Sequence, residues 1–112
     1  PNMYGAVGGE ANAIEPGKRM LSSMTPTLIL RNNKPYLTIG TPGGTTIPTS
    51  VYQALVNLID FNMPLSDAIN KPKFHHQWLP DEVFVEKEFS PETRQELETM
   101  GYHIKERPGI GR

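Results

Sequence analysis

Two adjacent glycines, Gly43 and Gly44, stand between a run patterned like a strand and a run patterned like a helix. No other stretch restricts the fold of this chain as much. Upstream, Tyr36-Leu37-Thr38-Ile39 reads as a strand, and Thr41-Pro42-Gly43-Gly44-Thr45-Thr46 as a tight turn. Downstream, Val51, Leu55, Leu58 and Ile59 fall at i, i+4, i+7 and i+8. That spacing predicts a helix over roughly residues 49–61, with Thr49 or Ser50 as its cap. Glycines lack a Cβ, so the backbone at such a turn can approach a ligand closely. The helix start adds the positive end of a dipole. The unit therefore suits an anion. It suits equally the oxyanion that forms when a nucleophile attacks a carbonyl, where two convergent N–H donors are the usual device. No Gly-Lys-Ser/Thr follows, so it is not a P-loop, and G-x-G-x-x-G is missing. Taken alone, the glycine pair reads first as a structural turn.

The remaining elements follow from local signals. Residues 1–23 hold Pro1, Gly5, Gly8, Gly9, Pro16 and Gly17, too many breakers for a regular period. A segment of that kind inside a compact domain is often a functional loop or lid. Thr27-Leu28-Ile29-Leu30 reads as a buried strand, and the Asn32-Asn33-Lys34 turn joins it to Tyr36–Ile39 as a hairpin. Asn62-Met63-Pro64 ends the first helix, and a short helix at about residues 65–70 is stopped by Pro72. Val83-Phe84-Val85-Glu86 reads as a strand. Ser90-Pro91-Glu92 opens a further helix, with serine as cap and proline at the first position, and Gly101 closes it. His103-Ile104-Lys105 reads as a last strand. This mixed order, with antiparallel pairing, predicts an α+β fold.

Composition excludes several classes of function. Net charge is −1 with acids and bases mixed along the chain, and no basic block invites nucleic acid or an anionic membrane. Cysteine is absent, which removes disulfides and thiolate metal sites. No apolar run approaches membrane-spanning length, and no signal peptide is visible. The chain has 112 residues, opens on Pro1 and ends on Gly109-Ile110-Gly111-Arg112. Neither end looks like a natural terminus, so we expect a piece of something larger.

Other chemistry-bearing residues are sparse. Ser22-Ser23 lies just before the first strand, where hydroxyls can bind a carboxylate or satisfy a turn's own backbone. Phe74-His75-His76-Gln77-Trp78-Leu79-Pro80-Asp81-Glu82 carries two histidines and two acids. Adjacent histidines on a strand point to opposite faces, and the spacing matches no zinc pattern, so no metal is expected. We read this segment as structural, with Trp78 packed beneath it, and His103 as structural too. Nothing resembles a nucleophile: Gly-x-Ser-x-Gly is missing and no Thr or Ser stands at the N-terminus.

The same segments resemble a known family. Pro1-Asn2-Met3-Tyr4-Gly5, Gly8-Gly9-Glu10-Ala11-Asn12-Ala13 and Gly17-Lys18-Arg19-Met20-Leu21-Ser22-Ser23-Met24-Thr25-Pro26-Thr27 are similar to the lid and carboxylate-binding region of gamma-glutamyltransferases. Pro42-Gly43-Gly44 resembles the family's oxyanion turn, at the expected distance after Ser23. Lys73-Phe74-His75-His76-Gln77-Trp78-Leu79-Pro80-Asp81-Glu82 resembles a further signature. The resemblance covers nearly the whole chain in unbroken order.

That resemblance implies an N-terminal-nucleophile hydrolase, and here part of its four-layered αββα sandwich, with mostly antiparallel strands and helices on one side. It implies a single partial domain over residues 1–112, with a lid and loop region at 1–23 and an α+β body at 24–112. In the family, a precursor cuts itself into large and small subunits, and the new N-terminal Thr attacks the gamma-glutamyl amide of glutathione or a related donor. Water or an amino acid then accepts the group. No cofactor takes part. By resemblance, Ser22 and Ser23 hold the donor's alpha-carboxylate, Gly43 and Gly44 offer N–H groups to the oxyanion, and Tyr4 is the lid tyrosine. The nucleophilic Thr would lie upstream of Pro1, so this chain alone is expected to be inactive. Its partners would be the rest of the small subunit and the large subunit. The family implies a periplasmic or extracellular setting. Where many members have Ser-Arg after the glycine pair, this chain has Thr45-Thr46, then Ile47-Pro48-Thr49. That departure keeps open a related acylase, such as a cephalosporin acylase or a poly-gamma-glutamate capsule depolymerase. A third reading is a non-catalytic assembly module, since unpaired strand edges invite self-association into homo-oligomers.

Overall fold

The computed structural model describes residues 3–111. The Pro1-Asn2 start of the lid motif and Arg112 lie outside them. Residues 3–23 hold one short 3-10 turn, Glu10–Asn12, and are otherwise irregular, exposed up to Ser22 and half-buried at Ser23. The body begins with strand β1, Thr27–Arg31, which pairs antiparallel with β2, Lys34–Ile39. Asn32 and Asn33, with φ of 51° and 61°, make the turn between them. Asparagine enters the left-handed region more easily than most residues, and two positive φ values match the twist of a hairpin. The second strand starts earlier than its apolar pattern predicts. The register shifts between Ile29 and Leu30, where Pro35 faces Leu30 and Leu37 faces Ile29. A bulge is where a strand tolerates proline, which has no N–H for the ladder.

Helix α1 spans Ile47–Ile59, two residues ahead of the expected start. Pro48 explains the difference. It sits in the first turn, where a backbone N–H has no intrahelical partner to lose. The buried face is Ile47, Ser50, Val51 and Ala54. Val51 was expected there, but Leu55 and Leu58 are only half-buried and Ile59 is exposed. The neighbours of α1 set this face: α2 (Leu65–Asn70), which buries Ala68, and the start of the second sheet.

That sheet has three short strands, in the order β3 (Phe74–His75), β4 (Val83–Val85), β5 (Ile104–Glu106). β3 and β4 are antiparallel, while β4 and β5 are parallel. Parallel neighbours need a crossover, and helix α3, Pro91–Thr99, supplies it. Ser90 caps α3 by accepting from the Thr93 amide at 3.2 Å, and Gly101 follows its end with φ 97°. The free side of β3 is met by a side chain. The Gln53 amide donates to the Phe74 carbonyl at 2.7 Å and accepts from the Phe74 N–H at 3.0 Å. On the other side, Glu86 accepts from the Lys73 and Ile110 amides at 2.8 and 2.9 Å.

The core is small: Ile47, Val51, Ala54, Ala68, Val83, Val85 and Ile110. Helices with small antiparallel and mixed sheets make this an α+β fold. Two expectations fail. β1 is not a buried strand: Leu28 and Leu30 are 58% and 55% exposed, on the face that the two-stranded sheet leaves uncovered. Trp78 is not packed beneath the histidine segment but is 69% exposed, with a left-handed φ of 71°. The tight turn that carries it points the indole outward and buries His75 instead.

Candidate active site

The glycine turn forms as its sequence predicts. Gly43 has φ 151° and Gly44 has φ 61°, values that side chains resist. A Cβ on Gly43 would lie 2.5 Å from the Thr46 hydroxyl oxygen. A Cβ on Gly44 would lie 2.4 Å from Cε1 of Tyr4. Both positions thus need glycine for conformation and for space. Thr46 closes the turn. Its amide donates to the Gly43 carbonyl at 3.2 Å, and its buried hydroxyl lies 3.0 Å from that oxygen and 2.7 Å from the Ile110 carbonyl. Ser50 also donates to the Ile110 carbonyl, at 2.9 Å. The turn is therefore tied to helix α1 on one side and to the 109–111 loop on the other.

Three sequence-distant pieces meet at Gly44. The Tyr4 ring lies against it. The Ser23 hydroxyl donates to its carbonyl at 2.8 Å. The turn leads directly into α1. Of the two serines, only Ser23 reaches the turn. Ser22 is exposed, and its oxygen accepts from the Met24 amide at 3.3 Å. The structure thus brings together Tyr4, Ser23, Gly43 and Gly44, with Ser22 one residue away along the chain.

Sequence reading missed how the Tyr4 segment is held. Gln77 donates through Nε2 to the Tyr4 carbonyl at 2.9 Å and to the Leu79 carbonyl at 2.9 Å. Its Oε1 lies 2.9 Å from Nε2 of His75, and Nδ1 of His75 lies 2.8 Å from the Thr49 hydroxyl. The alternation of His75 and His76 was the available signal. His75 is 1% exposed, whereas His76 is half-exposed and meets Asp81 at 3.2 Å. Among the described residues no three His, Cys, Asp or Glu side chains form a metal-holding group. No helix there is long and apolar enough to cross a membrane.

This arrangement sets the free hydroxyl of Ser22 near a glycine turn at a helix start, with the Tyr4 ring against the turn, groups that suit a carboxylate and an oxyanion. The chain is similar to proteins of known name. The glutathione hydrolase proenzyme of Escherichia coli (strain K12) is 50% identical over 111 residues, covering 99% of this chain and 19% of that relative. The structure of a Helicobacter pylori gamma-glutamyltranspeptidase mutant is 52% identical and superposes with a TM-score of 0.94, over 99% of this chain and 60% of that one. A cephalosporin acylase from Bacillus halodurans is more distant: 30% identity and a TM-score of 0.80, over 89% of this chain and 19% of that one. The chain thus spans about a fifth of the curated E. coli relative's length. The sequence model of the gamma-glutamyltranspeptidase family matches residues 1–112, and the chain belongs to that family.

Proposed function

We propose that this chain supplies the carboxylate-binding and oxyanion side of a gamma-glutamyltransferase that acts on glutathione and related donors. The convergence of Tyr4, Ser23 and Gly44 carries this reading. In the reaction, an N-terminal Thr outside this chain attacks the gamma-glutamyl amide, with its own amine as base. The carbonyl oxygen gains charge, and the amides of the Gly43-Gly44 turn stabilise it. Ser22 donates to the donor's alpha-carboxylate, and Ser23, whose proton goes to the Gly44 carbonyl, holds the turn beside it, which sets the reacting carbonyl at the turn. Tyr4 covers the site and limits access of water. Water or an amino acid then takes the gamma-glutamyl group. The chemistry calls for no cofactor. The rest of the small subunit and the large subunit complete the site, in a periplasmic or extracellular setting as the family resemblance implies. Residues 1–23 act as the lid and loop region and 24–112 as the α+β body.

The acylase and capsule-depolymerase readings rested on Thr45-Thr46-Ile47-Pro48. Here Thr46 closes the turn and Pro48 starts a helix, so these residues have structural work that does not require another substrate. Comparing glutathione, polyglutamate and a glutaryl amide as substrates of the complete protein separates the three.

The direct test compares the 112-residue chain with the complete, processed protein on a gamma-glutamyl anilide. We expect release of the aniline by the complete protein alone. Turnover by the short chain would place the nucleophile within it and overturn the proposal. Light scattering on the short chain tests the assembly reading, which a strictly monomeric species would remove.

A further inference from the structure

We propose that Gln77 is a positioning residue that latches the lid, holding the Tyr4 carbonyl so that the Tyr4 ring stays against Gly44; this rests on the functional reading above. The hydrogen-bond directions follow from the partners. Two carbonyl oxygens, of Tyr4 and Leu79, lie 2.9 Å from one end of the Gln77 amide. Carbonyls only accept, so that end is the NH2. The other end, Oε1, only accepts and lies 2.9 Å from Nε2 of His75. Nε2 must therefore carry a proton. In the neutral ring Nδ1 then accepts, and the Thr49 hydroxyl, 2.8 Å away, gives its one proton to it rather than to the Thr46 carbonyl at 3.0 Å. Thr49 stands in the first turn of α1, just past the glycine turn. A continuous set of hydrogen bonds thus runs from the helix start through a buried histidine to the backbone of the lid.

The rest of the lid contact is shaped to match. A Cβ on Gly5 would lie 3.3 Å from Cδ of Pro80 and 3.8 Å from Nε2 of Gln77, so the lid backbone seats directly on the 77–80 turn. Between Gly5 and the Ser22-Ser23 pair the chain is exposed and irregular. The Gln77–Tyr4 bond spans 73 positions. It pins the end of that segment that carries the ring. Without it, the closed lid would be one of several arrangements, and the affinity for donor would fall with the fraction closed.

The test uses the complete, processed protein with Gln77→Leu and Gln77→Glu. Leucine removes both arms of the latch. Glutamate keeps an acceptor for His75 but has no N–H for the Tyr4 carbonyl. Chymotrypsin cleaves after tyrosine, and the Tyr4–Gly5 bond contains the carbonyl that Gln77 holds. We expect cleavage there to quicken about fivefold in both variants, as loss of one net hydrogen bond predicts. Cleavage after Tyr102 is the control for general loosening and should not change. In the same variants KM for a gamma-glutamyl anilide should rise about fivefold, with kcat nearly unchanged. Cleavage of Gln77→Glu at the parental rate would overturn the latch, as would equal quickening at Tyr102. If the parental protein does not turn over the anilide, the proposed function fails, while the cleavage comparison still decides the latch.

Discussion

The Ser23 hydroxyl donates its one proton to the carbonyl of Gly44, 2.8 Å away. It cannot at the same time donate that proton to a substrate carboxylate. The neighbouring Ser22 accepts from the Met24 amide and keeps its own O–H for donation. If Ser22 meets the carboxylate as proposed above, the two serines divide the work, Ser22 toward the donor and Ser23 toward the turn.

Substituting each serine should show this division. Ser22→Ala in the complete protein should raise KM for a gamma-glutamyl donor by about tenfold or more, the value of a hydrogen bond to a charged group, with kcat little changed. Ser23→Ala should lower kcat as well, because the Gly44 peptide loses its tether. Steady-state kinetics on both variants checks the split, and equal KM-only effects would refute it.

Gly44→Ala should fail for two separable reasons. A positive φ costs a non-glycine residue about 1–2 kcal/mol. The new methyl also collides with the Tyr4 ring. We expect turnover to drop by about tenfold or more, and the thermal midpoint to fall. Adding Tyr4→Ala should recover part of the midpoint, since only the collision is relieved. Gly44→Pro would go further by deleting a donor to the oxyanion, a loss that typically costs about 100–1,000-fold in rate.

Thr46 is 1% exposed and joins the turn to the Ile110 carbonyl. Thr46→Val keeps the shape and removes the hydroxyl. The Gly43 carbonyl keeps the Thr46 amide, and the Ile110 carbonyl keeps Ser50, so neither is left bare. The expected cost is about 1 kcal/mol, read from the midpoint of urea unfolding.

His75→Leu should cost more, about 1–3 kcal/mol, because Oε1 of Gln77 loses its donor. Added zinc should leave the thermal midpoint of the unsubstituted chain where it was. His75 is bonded at both nitrogens, and the described residues offer no group of three metal-holding side chains. A zinc-dependent rise would contradict this account.

The elements legible in the sequence were those whose signals are local. Asn32-Asn33 specifies its turn by tolerating left-handed φ, and Ser90-Pro91 specifies a helix start by cap and fixed φ. The glycine pair was legible for the same reason. The buried face of α1 was not, because α2 and the second sheet choose it rather than the helix's own apolar residues. The β3 strand and the parallel β4–β5 pair depend on partners far along the chain. At the candidate site, Tyr4, Ser22, Ser23, Gly43 and Gly44 were read from motifs that stand in order, and their meeting at Gly44, Ser22 apart, was not readable from those motifs. Gln77 could not, since its role lies in a bond to a backbone carbonyl at the other end of the sequence.

The Gln53 amide, laid along Phe74 as a strand would be, closes the β3 edge of the three-stranded sheet. A strand arriving at β3 would have to displace both of those bonds before forming any of its own. One glutamine side chain thus does for this short edge what a neighbouring strand does elsewhere, and leaves Phe74 no free backbone group to offer another chain.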